Sequence, residues 1–316
     1  MTAPWLVTGA SGLLGANAVR VLRDGRPVVG VARRPVRDAA LGVLARDLTV
    51  RDAAASLLDE VRPCAVLHCA ALASIEACES DPAAARRLNV DVTASLAARA
   101  AEAGIPFVAV STDAVFEGRD GGPHREDDPT APVTVYARTK LEAEHAALDA
   151  HPGALVARVN FSGWSPSGTR GLAEFFHARL GRGETTYGFD DVTVSTLHVT
   201  ALIEALLALV GREATGVLHV ASSEATTKLE YGRRLAGAFG FDPALVVPAR
   251  AAQHLTVARG RHLALDTSRA ARLLGTPLPG QDAGMALLRS ERDAGVPGVL
   301  ARYAPQDGTV MDHENR

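Results

Sequence analysis

The stretch WLVTGASGLLG, residues 5–15, constrains the fold more tightly than any other part of the chain. Trp5 to Thr8 read as a short apolar strand. It runs straight into Gly9, Gly12 and Gly15 and then into an amphipathic helix, Leu13 to Arg23, closed by Asp24-Gly25. Glycines at this spacing permit a tight turn and a close approach of backbone to ligand, while the free N–H groups of a helix start attract an anion. A glycine pattern alone says little. Between a strand and a helix it predicts a turn that receives the pyrophosphate of a dinucleotide.

The same alternation continues. Val28 to Ala32, Leu44 to Leu48, Ala65 to His68, Pro106 to Ser111 and Ala154 to Val159 read as strands. Asp52 to Val61, Ala84 to Ala103 and the stretch from Tyr136 read as helices. Short apolar strands separated by helices imply right-handed βαβ units and a parallel sheet covered on both faces. The fold class is therefore α/β, a Rossmann-type doubly wound parallel sheet, with residues 1–160 as the dinucleotide-binding domain. After Val159 the alternation lapses. Residues 161–303 are expected to form mostly a smaller C-terminal substrate-binding lobe, with 198–221 returning to the Rossmann domain, and 304–316 a mobile tail.

Two further features bear on chemistry. The second strand ends in Arg33-Arg34 where an acidic residue would bond a ribose 2′-hydroxyl. Two guanidiniums suit a 2′-phosphate, which favours NADP(H) and leaves NAD(H) as the alternative. Tyr136 and Lys140, four apart in YARTKLEAEHAAL, stack on one helix face, where an ammonium lowers the phenol pKa. Such a pair can exchange a proton with a carbonyl oxygen, although the same spacing recurs in many solvated helices.

Composition narrows the function. Hydrophobic residues are 47% and charged residues 22% of the 316, and the net charge is −3. That balance suits a globular protein and gives no reason to expect nucleic acid or an anionic membrane as partner. No run approaches a membrane span, and the N-terminus lacks a secretory pattern, so a cytoplasmic protein is expected. Cys64, Cys69 and Cys78 have no metal-ligand spacing, and no metal is expected. His198 and His219, at element ends, are expected to be structural.

Together these motifs resemble the extended short-chain dehydrogenase/reductase superfamily, and within it the dTDP-4-dehydrorhamnose reductase branch. The resemblance runs through TGASGLLG, Asp47-Leu48, His68-Cys69-Ala70-Ala71, Asn89-Val90, STDAVFEG, EDDPTAP and YARTK, and on into TVSTLHVTALIEALLAL, GVLHVASSEATTKLEYGRRLA and LALDTSRAARLLG. It implies that Thr112 bonds the substrate carbonyl, that Tyr136 is the general acid, and that Lys140 holds the nicotinamide ribose. It also implies that Gly9, Ser11, Gly12, Leu13, Leu14 and Gly15 surround the pyrophosphate, with Arg33 and Arg34 at the 2′-phosphate. Asp47 and Leu48 would lie by the adenine, and Cys69, Ala70, Ala71 and Asn89 beside the rest of the cofactor. Ala73, Asp113, Ala114, Asn160 and Trp164 would face a small-molecule substrate.

The departures matter too. Ala114 stands where many relatives carry an aromatic ring, and where the similar sugar-nucleotide dehydratases need a second carboxylate. Dehydration is thereby disfavoured. The expected activity is NADPH-dependent reduction of a ketone, on a nucleotide-linked 4-keto sugar or a related hydroxyketone. The alternatives are an NAD(P)-dependent sugar epimerase and a non-catalytic dinucleotide-binding regulatory subunit. Lys228, Arg233, Arg250 and Arg259 are candidates for holding phosphates. The superfamily's habit of pairing helices equivalent to 84–103 and 136–150 suggests a homodimer.

Overall fold

A computed structural model describes residues 3–118, 122–257 and 259–306. The first half contains β1 (Trp5–Thr8), α1 (Leu13–Arg23), β2 (Val28–Ala32), β3 (Leu44–Ala45), α2 (Ala53–Val61) and β4 (Ala65–His68). It continues through α3 (Ile75–Ser80), α4 (Pro82–Arg86), α5 (Val92–Glu102), β5 (Phe107–Thr112), α6 (Val135–Ala150) and β6 (Leu155–Val159). The second half contains β7 (Phe161–Ser162), α7 (Gly171–Leu180), β8 (Thr186–Phe189), β9 (Thr193–Val194), β10 (Leu197–His198), α8 (Val199–Val210) and β11 (Gly216–Val220). Then follow β12 (Thr226–Thr227), α9 (Lys228–Phe239), β13 (Val246–Ala249), α10 (Ala251–His254), β14 (His262–Leu263), α11 (Ser268–Leu274), α12 (Gln281–Asp293) and α13 (Val296–Ala301).

The central sheet has seven strands in the order β11-β6-β5-β4-β1-β2-β3, and every pairing in it is parallel. Side chains alternate between its faces with period two. Trp5 and Val7, Ala65 and Leu67, and Leu155 and Ala157 enter the core shared with α1 and α8. Leu6, Val66 and Val156 enter the opposite core, shared with α2, α5 and α6. Burial on both sides is what makes these strands continuous apolar runs. The chain runs outward from β1 in both directions, so the crevice between the ends of β1 and β4 is the switch point where open α/β sheets bind ligands.

Residues 199–220 return to the sheet, with β11 pairing β6 from Gly216↔Leu155 to Val220↔Val159. The remaining segments build small sheets above the carboxyl ends, β12-β9-β14 and β13-β8. A strap joins the two parts. His124 N–H donates to Ala264 O (2.8 Å), Asp266 N–H to His124 O (2.7 Å) and His262 N–H to Gly118 O (3.1 Å).

Three expectations need correction. The third strand stops at Ala45 rather than Leu48, because the Asp47 carboxylate takes both the N–H (2.9 Å) and the hydroxyl (2.6 Å) of Thr49 and turns the chain. The helix expected at 84–103 starts at Pro82 and is interrupted by a π-helical turn, Arg87–Asp91, before α5. The expected mobile tail is anchored at its start: Ala304 is buried, its carbonyl accepts from Arg37 N–H (2.8 Å), and Gln306 N–H donates to Pro35 O (2.9 Å). Residues 307–316 lie outside the described residues.

Candidate active site

The turn after β1 is tight enough to exclude side chains. Gly9 has φ +70°, and a Cβ there would stand 2.9 Å from Ala70 N. A Cβ on Gly15 would lie 2.2 Å from Gly9 O. Gly12 N–H donates to Gly9 O (2.8 Å), and as the N-cap of α1 it offers no side-chain partner to the first turn. The helix thus begins with N–H groups available to an anion beside a surface only backbone can line. These features fit a dinucleotide pyrophosphate. Leu13 and Leu14 are buried in the core, so they can contribute only their backbone; Ser11 is half-buried.

The neighbouring loop is locked from below. Thr8 Oγ1 accepts from Cys69 N–H and Ala70 N–H, both at 3.1 Å, and bonds His68 Nδ1 at 2.7 Å. Burial pushes His68 down to about 3, so its ring is neutral and serves as a hydrogen-bonding strut. Burial also pushes the Cys69 thiol up to about 12, which keeps it protonated. Asn89 sits in the π turn, fully buried. Its amide accepts from Leu72 N–H (2.8 Å) and donates to Leu72 O (3.2 Å) and Thr139 Oγ1 (3.0 Å). It therefore ties the loop bearing Ala71 and the exposed Ala73 to α6 rather than presenting a group to a ligand.

Arg33 and Arg34 are exposed just past β2. The Asp47 carboxyl is held below its usual range by its two bonds to Thr49 and, more weakly, by the Arg33 charge. Leu48 is buried against the sheet.

At the end of β5, Thr112 is buried, and its hydroxyl donates to Asp113 Oδ1 (3.1 Å) while accepting from Ala114 N–H (3.2 Å). Asp113 Oδ2 accepts from Asn160 Nδ2 (2.6 Å), and Asn160 Oδ1 accepts from the Thr196 hydroxyl (2.8 Å). Burial raises Asp113 to about 6 against the pull of these bonds and of Lys228. Ala114 beside them is only half-buried.

Thr134 caps the start of α6 through Ala137 N–H (3.1 Å), which sets the register that stacks half-buried Tyr136 above Lys140. Lys140 is 6% exposed. Its ammonium makes no hydrogen bond or ion pair with any described residue. Burial lowers it to about 8, opposed by the Glu144 charge one turn on. Glu144 itself is matched by Arg158 of β6, through Nε (3.0 Å) and Nη2 (2.8 Å), and by the Ser111 hydroxyl. Glu144 could have been found from the same helical spacing, one turn past Lys140, but Arg158 could not, because it lies on β6.

Trp164 does not reach the crevice. Its ring is buried against His177 and Phe239, and its Nε1–H is committed to Leu288 O (3.1 Å). His198 bonds Thr200 N–H (3.3 Å) and faces Glu291 (3.4 Å), and His219 packs edge-on against Phe116. Among the described residues no three His, Cys, Asp or Glu side chains cluster as metal ligands. No described helix is long and apolar enough to cross a membrane.

A glycine turn at the switch point, facing a Tyr–Lys helix beside the Thr at the end of β5, defines an extended short-chain dehydrogenase/reductase. Residues 3–291 match the sequence model of one family, the RmlD substrate binding domain. The chain belongs to that family, the dTDP-4-dehydrorhamnose reductase-like branch of the superfamily. It is 34% identical over 291 residues to the probable low-salt glycan biosynthesis reductase Agl14 of Haloferax volcanii, across 90% of this chain and 96% of that one. With dTDP-4-dehydrorhamnose reductase of Streptomyces griseus it shares 33% over 273 residues, 84% of this chain and 86% of the relative. The fold matches a crystal structure of dTDP-4-dehydrorhamnose reductase from Bacillus anthracis in complex with NADP, with TM-score 0.82 at 20% identity, covering 92% of this chain and 100% of that one.

Proposed function

We propose that the chain is an NADPH-dependent reductase that converts the keto group of a nucleotide-linked sugar to an alcohol. The observation that carries this is the buried Lys140 ammonium, unmatched by any described partner, one turn from Tyr136 and within electrostatic reach of Cys69 in the loop that touches Gly9. A cation is buried at such a cost where it has something to bind or to tune. The relatives' names, reductases of dTDP-4-dehydrorhamnose and of glycan biosynthesis, support the substrate class.

The free backbone N–H groups of the first turn of α1, Leu13 to Gly15, would hold the pyrophosphate, Arg33 and Arg34 the 2′-phosphate, and Lys140 the nicotinamide ribose. When bound, the reduced nicotinamide supplies a hydride to the carbonyl carbon. Tyr136 gives its phenolic proton to the carbonyl oxygen, and the Lys140 charge stabilises the phenolate left behind. Thr112 has one proton, now directed at Asp113, so bonding a substrate oxygen means releasing that carboxylate. Ala114 supplies no second carboxylate, so elimination of water lacks its base.

Mixing the purified protein with NADPH and a dTDP-4-keto-6-deoxy sugar tests the reading. Loss of NADPH absorbance, one for one with alcohol formed, supports it; isomerisation of the sugar at constant NADPH would replace it with the epimerase.

A further inference from the structure

The four basic residues of the second half that sequence alone could not rank have very different surroundings. Arg233 Nε is committed to Val246 O (3.3 Å) and Arg250 to Asp190 (3.3 Å). Lys228 is not committed. It opens α9, its backbone N–H is tied to Val192 O (3.0 Å), and its ammonium makes no hydrogen bond or ion pair with any described residue. It stands 5.8 Å from the centre of the Phe189 ring. The charges it senses are Arg259, which together with burial lowers its pKa, and Asp113, which raises it.

Arg259 reaches the same place from the strap. It is held by Glu76 of α3, across the crevice, at 2.7 Å, while its Nε is buried without a partner. Two cations therefore share one part of the cleft with two carboxylates that are already engaged, Asp113 by Thr112 and Asn160, and Glu76 by Arg259 (2.7 Å) and the Ser74 hydroxyl (3.4 Å). Like charges held together and partly desolvated are costly unless an anion joins them.

The chemistry also changes in order along the cleft. From Asp113 it passes to Lys228 and Arg259, then to Phe189, whose ring lies 6.1 Å from His254, which in turn lies 4.4 Å from Tyr187. Tyr187 is 55% exposed. A hydrogen-bonding end, a cationic middle and an aromatic outer end match a keto sugar, its phosphates and a base.

We propose that Lys228 and Arg259 form the phosphate subsite of the substrate, with Glu76 as the placeholder that an arriving phosphate displaces from Arg259. This rests on the reductase reading for the identity of the substrate, though not for the existence of the anion site. Lys228 and Arg259 are binding residues, not catalytic ones, so their loss falls mainly on KM.

Inorganic pyrophosphate is the probe, titrated calorimetrically into the full chain saturated with NADP so that the glycine turn is filled. The wild type binds it; Lys228→Met weakens binding about tenfold or more, as loss of a charge-assisted contact should, while Lys228→Arg stays within about threefold. Glu76→Gln tightens binding, because the competing carboxylate is gone. In turnover, Lys228→Met raises KM for the nucleotide-linked ketone by a similar factor and changes kcat less. Unaltered pyrophosphate affinity in Lys228→Met, or weaker binding in Glu76→Gln, overturns the proposal. Absence of NADPH consumption by the wild type would count against the reductase reading alone, since the pyrophosphate titration needs no turnover.

Discussion

The two sides of the cleft are built by different means. The proposed cofactor side is made from backbone and from neighbours along the chain: a glycine turn, the start of one helix, and two side chains one turn apart on another. The proposed substrate side draws on single side chains far apart in sequence, Glu76, Asp113, Asn160, Lys228 and Arg259, carried by a loop helix, strand ends, a second lobe and a strap. The first kind of site survives change in the rest of the chain because the sheet itself holds it. The second can be retuned one residue at a time without disturbing the sheet.

The contrast predicts large, sharp losses on the cofactor side and graded ones opposite. The largest is Lys140→Met. NADPH oxidation should fall by about 10²- to 10⁴-fold, the usual range for disabling proton transfer, and a near-normal rate would mean the buried cation only packs. Next is Arg158→Met, which strands Glu144 in the core. Urea unfolding should show a loss of about 3–5 kcal/mol, with Glu144→Leu in the same chain restoring most of it.

Gly15→Ala comes third. Its Cβ would stand 2.2 Å from Gly9 O, so the turn must shift, at about 1–3 kcal/mol of stability and with weaker NADPH binding by fluorescence titration. A turn that accepts alanine without loss would make the cofactor side as tolerant as the substrate side.

The smallest effect is in pH. Lys140 is lowered to about 8 in the folded chain from 10.5. Between those values the unfolded chain binds more protons, so the cost of burying this charge is fully present below about pH 8 and is relieved as pH rises toward the unfolded value. Lys140→Met should therefore stabilise the protein most below pH 8, and its advantage in thermal melts should shrink by pH 10. In the wild type, turnover should decline as pH rises through about 8, where Lys140 loses its charge.

The same contrast explains what could be read from sequence. The βα alternation, the glycine turn and Tyr136–Lys140 are short-range patterns, and six of the seven sheet strands follow from apolar runs in the first half. The π turn at Asn89 left no such trace, since its register is set by bonds to Leu72 and Thr139 on other elements. Trp164 looked like a substrate contact because it follows β6, yet its ring is buried against His177 and Phe239. Lys228 and Arg259 could be named as basic residues but not brought together, because only the folded strap does that.

The central claim is that Tyr136 delivers the proton that completes hydride reduction. The direct measurement compares wild type and Tyr136→Phe for single-turnover NADPH oxidation on the nucleotide-linked ketone, with NADPH affinity measured in parallel. The account predicts unchanged affinity and a rate lower by about 10²- to 10⁴-fold. A wild-type rate in Tyr136→Phe would contradict it.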